Sequence, residues 1–80
     1  MENGSIRCGD TVCIKDLDRN RDFEYELVPP PEVDVSKGKI SIASPVGSAL
    51  LEREEGETVE VNFPNGMMRT YEITKVVHVD

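Results

Sequence analysis

Few side chains in this 80-residue chain are of types that do covalent or metal chemistry, and each can be weighed singly. His78 is the sole histidine. An imidazole works as a general base when an acid orients it and a nucleophile lies beside it. The sequence places neither next to His78, which reads as an exposed side chain near the terminus. Cys8 and Cys13 have a spacing that matches no zinc or redox motif. Thiolate chemistry needs electropositive surroundings, and 16 acidic against 9 basic residues do not offer them. Both read as free thiols, buried or half-buried, in a reducing compartment. The acidic run Glu52 to Glu57, broken by Arg53 and Gly56, lacks the alternating oxygen ligands and final bidentate glutamate of a calcium loop. It reads as a solvated helix end and turn. The expectation is a chain with no catalytic residue, no metal, no cofactor and no small-molecule substrate.

Ser44-Pro45 is the pair with a mechanical role. A serine hydroxyl accepts an orphan backbone N–H at a helix start, and proline fits the first helical position. A capped, rigid turn also loses little entropy when a partner docks on it.

The elements around that pair follow from periodicity. Thr11 to Lys15 alternates, with Val12 and Ile14 on one face, and Asp22 to Leu27 alternates with Phe23, Tyr25 and Leu27 inward. The polar stretch Asp16 to Arg21 joins them as an antiparallel hairpin. Pro29-Pro30-Pro31 removes three backbone donors and stops the sheet, and Glu32 to Gly38 continues as a polar loop. The triple proline reads as a stiff connector rather than a ligand for SH3-type domains. Lys39 to Ala43 is a short strand. A helix runs from Pro45 to about Glu54, with Val46, Ala49, Leu50 and Arg53 on one stripe and Gly56 ending that region. Thr58 to Phe63 and Arg69 to Val79 form a closing hairpin around Pro64-Asn65-Gly66, and a bulge, or an end buried on both sides, is expected where Val76-Val77 breaks the alternation. The fold class is α+β: an antiparallel sheet packed on one short helix, as a single domain over residues 1–80 with its core at about 6–79.

The net charge of −7 argues against direct nucleic-acid binding, because a phosphate backbone would be repelled. No apolar stretch is long enough for a signal peptide or a membrane span. A cytoplasmic location is expected.

The run Gly38-Lys39-Ile40-Ser41-Ile42-Ala43-Ser44-Pro45-Val46-Gly47-Ser48-Ala49-Leu50-Leu51 resembles the hallmark segment of the C-terminal domain of the GreA/GreB transcript-cleavage factors. Gly9-Asp10-Thr11-Val12, Asp16-Leu17-Asp18, Gly56 to Val61, Pro64-Asn65-Gly66 and Tyr71-Glu72-Ile73 are similar to family pieces at consistent spacing, so the likeness covers about Ile6 to Val77. The related Rnk proteins carry a similar domain. The resemblance implies an FKBP-like fold and a binding module for RNA polymerase in transcription elongation, docked on a coiled-coil element at the rim of the secondary channel. It places the contact at the strand-to-helix junction: Ala43, Ser44 and Pro45, with Val46 and Gly47 just beyond. Ala43 stands where related domains often carry a polar or acidic residue. In the family an N-terminal coiled coil brings acidic residues to a second magnesium ion for transcript cleavage. Heptad periodicity is absent here, so no cleavage activity is expected. Prolyl isomerase activity is not expected either, since fold does not imply function and Phe23, Tyr25, Phe63 and Tyr71 all read as core positions. The alternative reading is an FKBP-like interaction domain with a partner other than RNA polymerase.

Overall fold

The computed structural model describes residues 4–78. Over these the chain runs β1 (Thr11–Asp16), β2 (Arg21–Val28), two 3-10 turns (Pro30–Glu32 and Val35–Lys37), β3 (Lys39–Ser41), α1 (Pro45–Leu50), β4 (Thr58–Asn62) and β5 (Met68–Val77). The strands form one sheet in the order β3-β2-β1-β5-β4. The α+β class holds: one short helix packs on one face of a sheet. The alternating positions supply that face. Val12 and Ile14 from the central strand, Val61 from β4, Ile73 from β5 and Leu50 from α1 are almost without exposure. Val79, assigned to the return strand and to the core boundary from the sequence, lies outside the described residues.

Three pairings are antiparallel as expected, but β3 lies parallel to β2, with Leu27 opposite Ile40. Periodicity carries no direction, so the sequence could not distinguish the two. The cause is the connector. The prolines turn the chain out of the sheet, and it bridges back on itself where Asp34 and Lys39 exchange hydrogen bonds of 3.0 and 2.9 Å. It then re-enters beside Glu26, whose N–H donates to the Gly38 carbonyl at 2.8 Å.

The helix stops at Leu50, short of the expected Glu54. Glu52 takes a left-handed conformation (φ 67°) that a side chain seldom adopts. Its N–H then donates to the Ile6 carbonyl at 2.8 Å, and the Ile6 N–H donates to the Arg53 carbonyl at 2.8 Å. These bonds to the N-terminal segment replace the helical ones, and they seat Ile6 in the core with no exposure. Gly56 falls in the following turn, where its N–H donates to the Ile73 carbonyl at 2.8 Å.

The bulge in β5 is at Thr74, two residues before the expected place. Cys13 faces Lys75 while Ile14 faces Ile73, leaving Thr74 as the extra residue. Its hydroxyl donates to the Cys13 carbonyl at 3.1 Å. The extra residue shifts the phase of the strand, so Val76 returns to the core side opposite Val12. In the β4–β5 turn only Gly66 has a positive φ, of 89°. Its N–H donates to the Phe63 carbonyl at 2.9 Å and the Phe63 N–H to the Met67 carbonyl at 2.8 Å. That is a three-residue loop with glycine at the left-handed position.

Candidate functional site

Sequence and local chemistry build one rigid corner. Ser44 is extended (φ −72°, ψ 162°) and α1 begins at Pro45. The Ser44 hydroxyl accepts the Gly47 N–H at 3.0 Å and donates to the Ser41 carbonyl at 2.6 Å. That carbonyl also accepts the Ser44 N–H at 3.0 Å. The Ser41 hydroxyl accepts the Ala43 N–H at 2.9 Å, and the Ser44 carbonyl accepts the Ser48 N–H at 2.8 Å. The expected helix cap is therefore present, and it is one link in a network that fixes residues 41–48.

The five residues assigned to the junction differ in what they present. Ala43 and Pro45 are exposed, Ser44 and Val46 half-buried, and Gly47 buried. A Cβ on Gly47 would collide with the Ser41 carbonyl oxygen. Gly47 lets the helix start sit tight against β3 and backs the corner from beneath.

Beside the corner lies a groove of about 290 Å³, lined by Tyr25, Val33, Val35, Ile40, Ser41, Ser44, Pro45, Val46 and Phe63. Its lining is almost wholly apolar. Val35 is 75% exposed at its rim. All four aromatic residues pack in or against the core, but only one is fully enclosed by it. Tyr71 is in the core, but Phe23, Tyr25 and Phe63 are half-buried, and Tyr25 and Phe63 line this open surface. A six-residue helix covers only part of the inner face. The uncovered part shows no period of its own in the sequence, since alternation marks a face and not what lies over it. Phe23 stacks on Tyr25 with ring centroids 5.8 Å apart. Burial pushes the Tyr25 phenol above the usual tyrosine range, and it raises Tyr71 too, with the Asp16 carboxylate adding to the effect.

The other chemical candidates have structural partners. His78 Nδ1 lies 2.8 Å from Asp10 Oδ2, and the Asp10 side chain is 5% exposed. Asp10 also accepts the Arg7 N–H at 2.9 Å. The pair ties the start of the chain to the end of β5, a contact between distant positions that no local pattern announces. Cys8 is exposed, where a buried or half-buried thiol is expected, because it sits on the turn that precedes β1; Cys13 is half-buried and both are free thiols. The acidic run serves its own turn: Glu57 accepts the Glu54 N–H at 2.7 Å and lies 3.8 Å from Arg53, and Glu55 accepts the Val76 N–H at 3.1 Å. Among the described residues no three His, Cys, Asp or Glu side chains converge as a metal site, and no helix is long and apolar enough to cross a membrane.

The chain as a whole is similar to known proteins. The family described as transcription elongation factor GreA/GreB, C-terminal, matches residues 1–78. Transcription elongation factor GreA of Hyphomonas neptunium is 45% identical over 78 residues, covering 98% of this chain and 49% of the relative. GreA of Chloroherpeton thalassium is 48% identical over 66 residues, covering 82% of this chain and 41% of the relative. The chain spans about half the length of these curated relatives or less. Among solved structures, a GreA/GreB factor from Nitrosomonas europaea superposes with a TM-score of 0.76 at 33% identity, over 98% of this chain and 64% of the other. Gfh1 of Thermus aquaticus superposes with a TM-score of 0.79 at 28% identity, over 92% of this chain and 48% of the other.

Proposed function

The chain belongs to the C-terminal domain family of the GreA/GreB transcription elongation factors, and from that premise we propose that it is a docking module for RNA polymerase with no catalytic chemistry of its own. The observation that carries this reading is the corner. Ala43 and Pro45 project from a turn held by the Ser41 and Ser44 hydroxyls, next to an apolar groove open to solvent. A preorganised turn binds without the cost of ordering, and the groove suits an apolar side chain of a partner helix. Val46 forms the groove wall and Gly47 holds the shape behind it. The partner is the coiled-coil element at the rim of the secondary channel, which puts the protein in the bacterial cytoplasm. The acidic balance of the chain adds a general attraction to any basic surface around the contact.

The test is retention of purified bacterial RNA polymerase by the immobilised 80-residue chain, compared with Pro45→Glu. The substitution places a charge at the contact, while a first helical turn tolerates glutamate. Retention should fall roughly tenfold or more, a loss of about 1.4 kcal/mol or more in binding, with thermal unfolding little changed. Equal retention by a folded Pro45→Glu chain would remove the corner from the contact. A folded parent chain that retains no polymerase would favour a different protein partner.

A further inference from the structure

The side of the sheet farthest from β3 ends in β4 (Thr58–Asn62), which among the described residues pairs only with β5. The Phe63 N–H donates to the Met67 carbonyl and the Ile73 N–H to the Glu57 carbonyl, each at 2.8 Å. Hydrogen-bonded positions alternate along an antiparallel pair. With Val61 opposite Arg69 and Val59 opposite Tyr71, the odd-numbered residues of β4 bond to β5. The N–H and C=O groups of Thr58, Glu60 and Asn62 therefore point to the open edge, and among the described residues none has a hydrogen-bond partner. All three residues are exposed. Along this edge runs a trough of about 480 Å³ lined by Ala49, Arg53, Thr58, Val59, Glu60 and Thr70.

An open row of backbone groups is a template for another strand. The charge at its centre decides which strand. Glu60 makes no ion pair among the described residues. A second copy pairing antiparallel about the middle of β4 would set Glu60 against Glu60, and like charges directly opposite are destabilising. The chain's net charge of −7 adds repulsion between copies. The same glutamate favours a strand with a cation at that position.

We propose that β4 accepts an extended segment of another protein as an added strand, with a Lys or Arg opposite Glu60 and aliphatic neighbours on either side of it turned into the trough over Ala49 and Val59. Main-chain hydrogen bonds to Thr58, Glu60 and Asn62 supply affinity and the side chains supply choice. This surface is separate from the corner and its groove, and the proposal does not depend on the polymerase reading.

The probes are two capped heptapeptides, Thr-Thr-Val-Lys-Val-Thr-Thr and the same sequence with Glu in place of Lys. Each is titrated to millimolar concentration into the isotope-labelled 80-residue chain, with amide shifts and hydrogen exchange read residue by residue. The lysine peptide should shift the amides of Thr58, Glu60 and Asn62 and slow their exchange, and it should bind roughly tenfold more tightly than the glutamate peptide. In Glu60→Lys, an exposed site where folding is not at stake, the preference should reverse. Equal binding of both peptides, no binding, or shifts confined to Tyr25 and Phe63 would overturn the proposal. So would a chain that sediments as a dimer with these amides protected before peptide is added.

Discussion

Gly47 shows how much a single missing carbon sets. With a Cβ there, the helix start and β3 cannot both keep their places, because the Ser41 carbonyl fills the space and also holds the Ser44 hydroxyl. Gly47→Ala should therefore destabilise the fold by about 1–3 kcal/mol, the usual cost of overpacking, although alanine is the better helix former. Chemical denaturation measures it; a variant as stable as the parent would mean the corner has room that the geometry denies. The tyrosines give a pH signature. Tyr25 and Tyr71 are raised above 10, Tyr71 by burial and then by Asp16. A phenol raised on folding stabilises fully below its unfolded value and loses that contribution as pH rises through the folded one. Stability should fall between about pH 10 and more alkaline conditions, and less steeply in Tyr71→Phe. An equal fall in both proteins would show that other groups govern the alkaline limb. At this scale the sequence was readable where chemistry is local. The cap at Ser44 and the proline after it can be recognised from two adjacent letters. The His78–Asp10 pair and the burial of Ile6 arise from contacts between distant segments, which no short window contains, and the need for glycine at position 47 depends on how closely the helix start folds back on the Ser41 carbonyl, which residue type alone does not give.

At the scale of elements, alternation identified the core-facing residues of β1, β4 and β5, because a half-buried strand writes its two faces directly into the sequence. The parallel entry of β3, the early stop of α1 and the position of the bulge were not written there. Each depends on which backbone groups meet across the sheet, and side-chain type says little about that. The short helix has two consequences. Its Leu50 is fully buried, so Leu50→Ala should cost about 2–5 kcal/mol, read from the denaturation midpoint. A loss below about 1 kcal/mol would mean that the helix is not a structural part of the core. Its first turn, at Pro45 and Val46, borders the groove beside the corner, where Tyr25, Ile40 and Phe63 pack on the core with one side and meet solvent with the other. The sequence offered these as core residues, which holds in part, because apolar type and phase are the same for a fully covered position and a half-covered one.

At the scale of the molecule, a small acidic domain presents a rigid corner and an apolar groove, and among the described residues its longest helix has six residues. Nothing rigid in the described chain extends away from the domain. On the proposed reading such a module would occupy a docking place on polymerase, and the described residues hold no element that would carry acidic ligands to a distant metal. Its affinity should be modest, because avidity from a second linked contact is absent from the chain under test. The most direct test uses a backtracked elongation complex of bacterial RNA polymerase, given the 80-residue chain alone and then a full-length GreA as well. The account predicts no transcript cleavage from the chain alone and a dose-dependent loss of GreA-stimulated cleavage as the chain is raised in excess, with Pro45→Glu failing to compete. Cleavage stimulated by the chain alone, or GreA activity unchanged at any excess of folded chain, would contradict it.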